Sequence, residues 1–263
     1  MGFKQIHIWS VCIVPVNPNL NKMRLAIISD IHGNMDALDE VLVDIDKSNV
    51  DATICLGDMV GYGPEPEAVV QAICRRNIPT LMGNHELAIL DPKYLAWFNP
   101  LARLSIQKTI PMLSEKSLAF IANLKTFTTR KQARFVHGFP PDSALTYLFQ
   151  IEEPAFCSVF ESMSENLCFV GHTHKLDFVS YRAGTVIRAP LIKGVMQLRK
   201  EKKYIINVGS VGQPRDGNNN AKYAIWDETD NLIQVKFIPY HIARVTNKII
   251  EAGLPDAHAE RLW

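Results

Sequence analysis

The chain has 263 residues, 47% of them hydrophobic, which is enough for a well-buried core in one large domain or at most two. A net charge of +1 gives no global attraction to nucleic acid or anionic membrane, and no apolar run reaches the ~20 residues of a membrane span. The five cysteines, Cys12, Cys55, Cys74, Cys157 and Cys168, form no CxxC pair; Cys55 and Cys168 sit in apolar runs, as buried thiols do. This usage favours a reducing, cytoplasmic setting over a disulfide scaffold.

Residues 1–22 contain the apolar stretch "QIHIWSVCIVPV", with Lys4 before it. His7, Pro15 and the following "NPNLNK" fit a secretory signal poorly. The segment reads as an extension with no assigned role, and Met23 opens the first strand pattern so directly that it is a candidate for the true start.

"RLAIIS" (24–29) is a continuous apolar run of the kind a buried parallel strand shows, and it ends in "DIHGN". Met35, Leu38, Leu42 and Ile45 then recur at helical spacing. The pattern repeats with a strand "ATICL" (52–56), a loop "GDMVGYGPEP", and a helix "EAVVQAICRR" with its cations at the C-terminal end. A third strand is expected over "IPTLM" (78–82), ending in "GNHE". From Leu87 to about Lys125 the chain reads as a helical insert, with Ser114 and Glu115 starting its last helix. Trp97 and Phe98 within it are expected to pack in the core.

"ARFVHG" (133–138) returns to strand, followed by "LCFVGHTH", "DFVSYR", "GTVIRA", "KYIINVGS", "KYAIWD" and "NLIQVKFI". Short connections among the last of these predict antiparallel pairs. Residues 242–252 read as a closing helix, capped by Gly253 with Pro255 beyond. The basic cluster Arg199, Lys200, Lys202 and Lys203 reads as solvated surface. The expected organisation is one α/β domain with two sheets over 23–263. Nothing in the pattern specifies an oligomeric state.

The polar residues at the strand ends form a set. The first strand ends in Asp30 and His32, the second in Asp58, the third in Asn84 and His85; "FVHG" ends in His137, and "VGHTH" supplies His172 and His174. Taken singly, an aspartate after a strand is usually a turn former or cap. Together they place five of the eight histidines of the chain at the carboxyl ends of strands, where open α/β sheets bind ligands. His7, His241 and His258 fall outside the set and read as ordinary surface or partly buried residues. Seven donors are too many for one tetrahedral ion and suit two ions sharing a carboxylate. Imidazole, carboxylate and amide donors without thiolate fit Mn, Fe, Ni or Zn better than Mg or Ca.

The ordered series Asp30-Ile31-His32, Gly57-Asp58, Gly83-Asn84-His85-Glu86, His137-Gly138 and Gly171-His172-Thr173-His174 resembles the calcineurin-like metallophosphoesterases, in particular a prokaryotic single-domain branch. "VGYGPEP", "FNPLAR", "NVGSVGQPRDG" and the final "GLP…AERL" are similar to that branch as well. The resemblance implies a four-layer α/β sandwich of two mixed β-sheets flanked by helices. It implies two divalent transition-metal ions, the first held by Asp30, His32 and His174, the second by Asn84, His137 and His172, with Asp58 bridging. It further implies hydrolysis of a phosphodiester or phosphomonoester, small or nucleotide-like, by a metal-bridging hydroxide, with His85 as general acid.

Two departures bear on substrate. Gly61 and Tyr62 stand where the protein phosphatases of the superfamily carry Asp and Arg in "GDxVDRG", and Met82 replaces the Arg of "RGNHE". That lowers the protein phosphatase reading, although Glu86 is retained. Arg215 in "GQPRDG" is the remaining candidate for a phosphate or base contact; the alternative is a loop arginine paired with Asp216. Tyr62 either stacks on a base or fills its loop, and "DGNNN" reads as a mobile rim loop. A non-catalytic interaction scaffold on the same fold is the rival reading. Loss of donors or of His85 would favour it, and all are present.

Overall fold

Strand β1 (Arg24–Ile28) is an interior strand of the first sheet because every residue after Arg24 is apolar and both faces are covered. Leu25 and Ile27 point into one core with Ile54, Phe169, Ile206, Trp226 and Ile233, while Ala26 and Ile28 point into another with Leu38, Val41, Val69 and Ile73. The period of two along the strand thus serves two hydrophobic layers at once.

The structure, a computed structural model, describes residues 23–263. The extension expected over residues 1–22, with His7 and Cys12, and the proposed start at Met23 concern a segment outside the described residues.

The first sheet has the order β2 (Ala52–Cys55), β1, β10 (Ala221–Asp227), β11 (Leu232–Ile238), β8 (Gly194–Gln197), with only the β1–β2 pair parallel. The second runs β3 (Phe127–Arg130), β4 (Ala133–Val136), β5 (Leu167–Val170), β9 (Lys203–Val208), β6 (Leu176–Arg182), β7 (Thr185–Pro190), with β4–β5 and β5–β9 parallel. The sheets pack face to face through the Ile27–Phe169–Trp226 layer. Helices α1 (Met35–Lys47) and α2 (Pro66–Arg75) cover the outer face of the first sheet, and α6 (Glu153–Ser162) covers the second through Phe156 and Phe160. The expected four layers of two mixed sheets flanked by helices are present. No described helix is long and apolar enough to cross a membrane. Cys55 and Cys168 are buried free thiols, as their apolar runs suggested.

The insert is helical, with α3 (Asn84–Leu90), α4 (Pro100–Thr109) and α5 (Glu115–Ala122) separated by short 3-10 helices. Ser114 caps α5 by accepting from the Ser117 N–H. The expected third strand is reduced to two isolated bridges, Cys55 with Thr80 and Leu81 with Lys125. Pro79 has no N–H to donate, and the chain turns into α3 at Asn84. The bridges still hold residues 79–82 beside β2, which carries Asn84 and His85 to the same end of the sheet. β3, β8, α6 and the short α8 (Asp256–Glu260) were not anticipated. Trp97 is 73% exposed rather than in the core, because the short 3-10 helix Pro92–Trp97 that carries it lies on the surface; Phe98 is buried as expected.

The closing helix α7 (Ile242–Glu251) ends before Gly253, whose φ of 63° is the left-handed position that favours glycine. It is tied to α1 by Asp36, which accepts from the Arg244 guanidinium and, at 2.7 Å, from Lys248 Nζ. Burial alone would raise the Asp36 pKa, but the hydrogen bonds from Lys248 and Arg244 hold it below the ordinary carboxylate value. A depressed folded pKa stabilises above the unfolded value of about 3.9 and is lost as pH falls through the folded value. Asp36→Asn is expected to cost about 1–2 kcal/mol at pH 7, both cations being partly solvated. Urea titrations should show the gap narrowing as pH falls below about 3.9; a gap that stays constant from pH 7 through the acid range would count against this ion pair.

Candidate metal centre

All seven candidate ligands lie at the same end of the two sheets and are buried, as is His85. Asp30 and His32 follow β1, and Asp58 follows β2. Asn84 and His85 open α3. His137 follows β4, and His172 and His174 follow β5. Their ligand atoms fall into two groups within coordinating reach, Asp30, His32, Asp58 and His174 in one, Asp58, His137 and His172 in the other. Asp58 is common to both. Asn84 belongs with the second, its Oδ1 lying 3.1 Å from His137 Nε2.

Backbone conformation sets these positions. Asp30, His32, Asp58, His172 and His174 all have φ between 50° and 68°, the left-handed region. Each costs about 1–2 kcal/mol relative to an ordinary conformation. Hydrogen bonds between the loops hold them there. His32 N donates to Asp58 O at 2.9 Å, Asp30 N to Gly57 O at 3.1 Å, and Gly171 N to His137 O at 2.8 Å. The loop after β9 joins in, Gly212 N donating to Asp30 O at 3.0 Å and Ser210 Oγ to the same carbonyl at 2.8 Å. Gly171 is required by close approach, since a Cβ there would collide with Ser29 Oγ and Asp30 Oδ2.

The histidine tautomers follow from their partners, because a carbonyl oxygen can only accept. His32 Nδ1 donates to Val60 O at 3.1 Å, His137 Nδ1 to Leu56 O at 3.2 Å, and His174 Nδ1 to Gln213 O at 2.7 Å. His32 and His174 are thus left with an unprotonated Nε2 turned inward, the orientation that metal-binding histidines take, whereas His137 Nε2 carries a second proton toward Asn84 Oδ1 and Asp58 Oδ2. His172 is reversed, with Nε2 donating to Leu145 O at 3.1 Å and Nδ1 facing Asp58 and His137. His32 Nε2 and His174 Nε2 stand 3.0 Å apart. With both Nδ1 atoms protonated, two lone pairs face each other, and only a cation between them makes the arrangement favourable. On the chemistry of its donors, the site fits metal ions.

The electrostatics agree. Burial drives His32 and His174 well below the ordinary imidazole value and His172 down to about 3, so all three are neutral. Burial acts against His137 too, but Asp58 Oδ2 at 3.3 Å and Asp30 overcome it and lift the ring to about 9. Burial and the nearby Asp58 raise Asp30 to about 6. Asp58 is held well below the carboxylate range despite its burial, chiefly by His137 and His85.

The ring of His85 meets that of His32 edge-on at 67°, whereas the rings of His32 and His174 stack at 28°. Its backbone N–H donates to Asp58 Oδ1 at 2.9 Å, while its ring packs among His32 at 4.6 Å, Tyr62 at 4.5 Å and Phe98 at 5.0 Å. Nδ1 is buried with no partner among the described residues and lies over Gly61, where a Cβ would strike it. Burial lowers its pKa to about 4.

Several residues that shape the site carry no signal in the ligand pattern. Glu86 accepts from three backbone donors, Asp58 N at 2.8 Å, Met59 N at 2.8 Å and Gly83 N at 3.0 Å. Burial and Asp58 push its carboxyl up to about 7 against those donors. Asn207 Nδ2 donates to Gly171 O at 2.6 Å and Thr173 Oγ1 at 2.8 Å, setting the loop that bears His172 and His174. Tyr147 stacks on His172 at 3.6 Å. His258, expected at the surface or partly buried, is almost fully buried on α8 with its ring 4.6 Å from Tyr62, because α8 docks its inner face against the loop after β2. A cavity of about 10 Å³, room for one water, lies between them, lined by His32, Asn34, Tyr62, Gln213 and His258. Tyr62 itself is buried against these rings rather than open to a base. Asp216 pairs with the buried Lys222 at 2.8 Å and not with Arg215. Lys222 also donates to Asn218 O and Asn220 O, so the "DGNNN" segment is tied down where a free rim loop was expected.

Residues 23–231 match the model of the calcineurin-like phosphoesterase superfamily domain. An uncharacterised protein of Methanocaldococcus jannaschii is 36% identical over 247 residues, covering 92% of this chain and 98% of the relative. The crystal structure of a metallophosphoesterase from Sphaerobacter thermophilus superposes with a TM-score of 0.79 at 34% identity, covering 92% of this chain and 98% of that one. A hypothetical protein from Pyrococcus horikoshii shares the fold, with a TM-score of 0.73 at 17% identity, over 91% of this chain and 97% of its own.

Because Glu86 serves three buried N–H groups, Glu86→Ala should destabilise the protein by at least about 3 kcal/mol. Glu86→Gln should cost about half as much, since one amide oxygen remains. Chemical denaturation in the presence of a chelator measures both, and equal stability of wild type and Glu86→Ala would refute the role.

Proposed function

Since this chain belongs to the calcineurin-like phosphoesterase superfamily, we propose that it hydrolyses phosphate esters in a cleft that holds two divalent metal ions. The observation that carries this reading is the pair of buried donor groups sharing Asp58. Asp30, His32 and His174 would hold one ion, Asn84, His137 and His172 the other, and Asp58 both. The donor types suit Mn, Fe, Ni or Zn. When bound, such a pair neutralises a phosphoryl group and supplies an activated water near neutral pH.

The chain supplies the rest. Nδ1–H bonds to backbone carbonyls keep the Nε2 atoms of His32, His137 and His174 aimed inward, so little reorganisation accompanies binding. The proton that His137 holds against Asp58 must leave when a cation arrives. The leaving oxygen of the ester needs a proton, and His85 stands beside the donor groups without being one of them. Its ring is neutral in the free protein, and an anionic ester next to it raises its pKa toward the working range. With Nδ1 closed off by Gly61, the proton passes from Nε2 to the leaving oxygen. Phe98, Tyr62 and the insert keep water off the buried side of that ring.

The direct test is hydrolysis of p-nitrophenyl phosphate and bis(p-nitrophenyl) phosphate by metal-stripped protein given Mn, Ni, Zn or Mg separately. Turnover with at least one of the transition metals is expected, and none with any of them would move the reading to a binding scaffold. His85→Ala should keep its metal and lose about 10²–10⁴ in kcat. The loss should be largest for alkyl esters, whose leaving groups are poor; equal loss with p-nitrophenolate would remove the acid role. Asp58→Asn should lose both ions together by elemental analysis. Two ions retained in that variant would rule out a shared carboxylate.

A further inference from the structure

Arg215 brings a guanidinium beside the donor cluster, and among the described residues it forms no ion pair with a carboxylate. Arg215 is half-buried on the loop after β9. Its Nη2 donates to Gln213 Oε1 at 2.7 Å, and its Nε is buried with no partner among the described residues. The neighbouring carboxylate, Asp216, is taken by Lys222. The guanidinium carbon lies 5.7 Å from the centre of the Tyr62 ring, which is itself 4.5 Å from the rings of both His32 and His85.

The position is fixed rather than incidental. Arg215 N donates to His174 O at 3.0 Å, and Gln213 O accepts from His174 Nδ1 at 2.7 Å, so one loop orients a candidate ligand and this cation together. Gln213 N is held in turn by Ser210 Oγ at 2.8 Å. On the far side the loop is anchored through the buried Lys222. A half-buried guanidinium that forms no ion pair with a carboxylate is open to an anion, and it is the side chain suited to phosphoryl oxygens. The sequence carries no arginine at the positions of Tyr62 and Met82, so Arg215 has no competitor there.

We propose that Arg215 is the side-chain contact to the substrate's phosphoryl group, and that it biases the site toward phosphomonoesters over diesters. A monoester dianion brings one more charge and one more free oxygen to the guanidinium than a diester monoanion does. The inference rests on the phosphoesterase reading and assigns it a substrate class.

The test uses the full chain loaded with Mn²⁺, as wild type, Arg215→Met and Arg215→Lys. Inorganic phosphate is titrated by calorimetry, and kcat and KM are measured for p-nitrophenyl phosphate and bis(p-nitrophenyl) phosphate. Arg215→Met should weaken phosphate binding at least about tenfold and lower the monoester-to-diester ratio of kcat/KM by a similar factor, mainly through the monoester KM. Arg215→Lys should recover part of both, since the charge returns without the planar fork. Unchanged phosphate affinity, or a loss equal for the two esters, would overturn the assignment. If wild type cleaves neither ester, the phosphoesterase reading fails, while the phosphate titration still decides whether Arg215 binds the anion.

Discussion

Two imidazole lone pairs turned toward each other at 3.0 Å, on His32 and His174, are the constraint on which the rest of the structure depends. Neither ring can rotate away, because each is fixed by an Nδ1–H bond to a backbone carbonyl. Neither carries a second proton, because burial disfavours the charged form. The loops that carry them are strained as well, five of the seven candidate ligands being left-handed. At about 1–2 kcal/mol for each such residue, the total rivals the net stability of an ordinary domain, about 5–15 kcal/mol. The strain persists because it is over-determined by the hydrophobic layer between the sheets and by backbone hydrogen bonds joining loops distant in sequence. The positions of the candidate donors are thus set by the fold itself.

The sequence made the donors legible because chemistry marks them. Asp30, His32, Asp58, His137, His172 and His174 each stand where an apolar run stops, and an apolar run of that length is a strand buried on both faces. The two-sheet architecture was readable for the same reason. Where expectation and structure part, local physics decides. The segment 78–82 has the composition of a strand, yet Pro79 withholds a ladder hydrogen bond and the chain is drawn into α3 within a few residues. Strand β8 and helix α8 are too short to leave a periodic signature.

What the sequence did not disclose is the support of the site. Glu86 looks like a helix-start residue and is one, but its carboxylate also gathers the N–H groups of Asp58 and Met59, which lie on another loop. Asn207 lies inside a strand pattern and reaches the carbonyl of Gly171. His258 has no neighbour in sequence that hints at Tyr62. Tyr147 reads as loop filler and is the plane on which His172 rests. These roles depend on how loops from two sheets and a terminal helix meet, and that is long-range geometry rather than local pattern. Arg215 is the intermediate case. Its type made it a candidate, but only the capture of Asp216 by Lys222 separates a free cation from a paired one.

The interior strand β1 pairs with β10, Arg24 opposite Asp227, and the ring of His258 backs Tyr62 from beyond residue 250. Elements that frame the site are therefore separated by almost the whole chain, and closing so long a loop has to precede any contact between them. A ribosome extruding this protein presents Asp30 and His32 long before His172 and His174 exist. The candidate donors accordingly meet only after most of the polypeptide has been made.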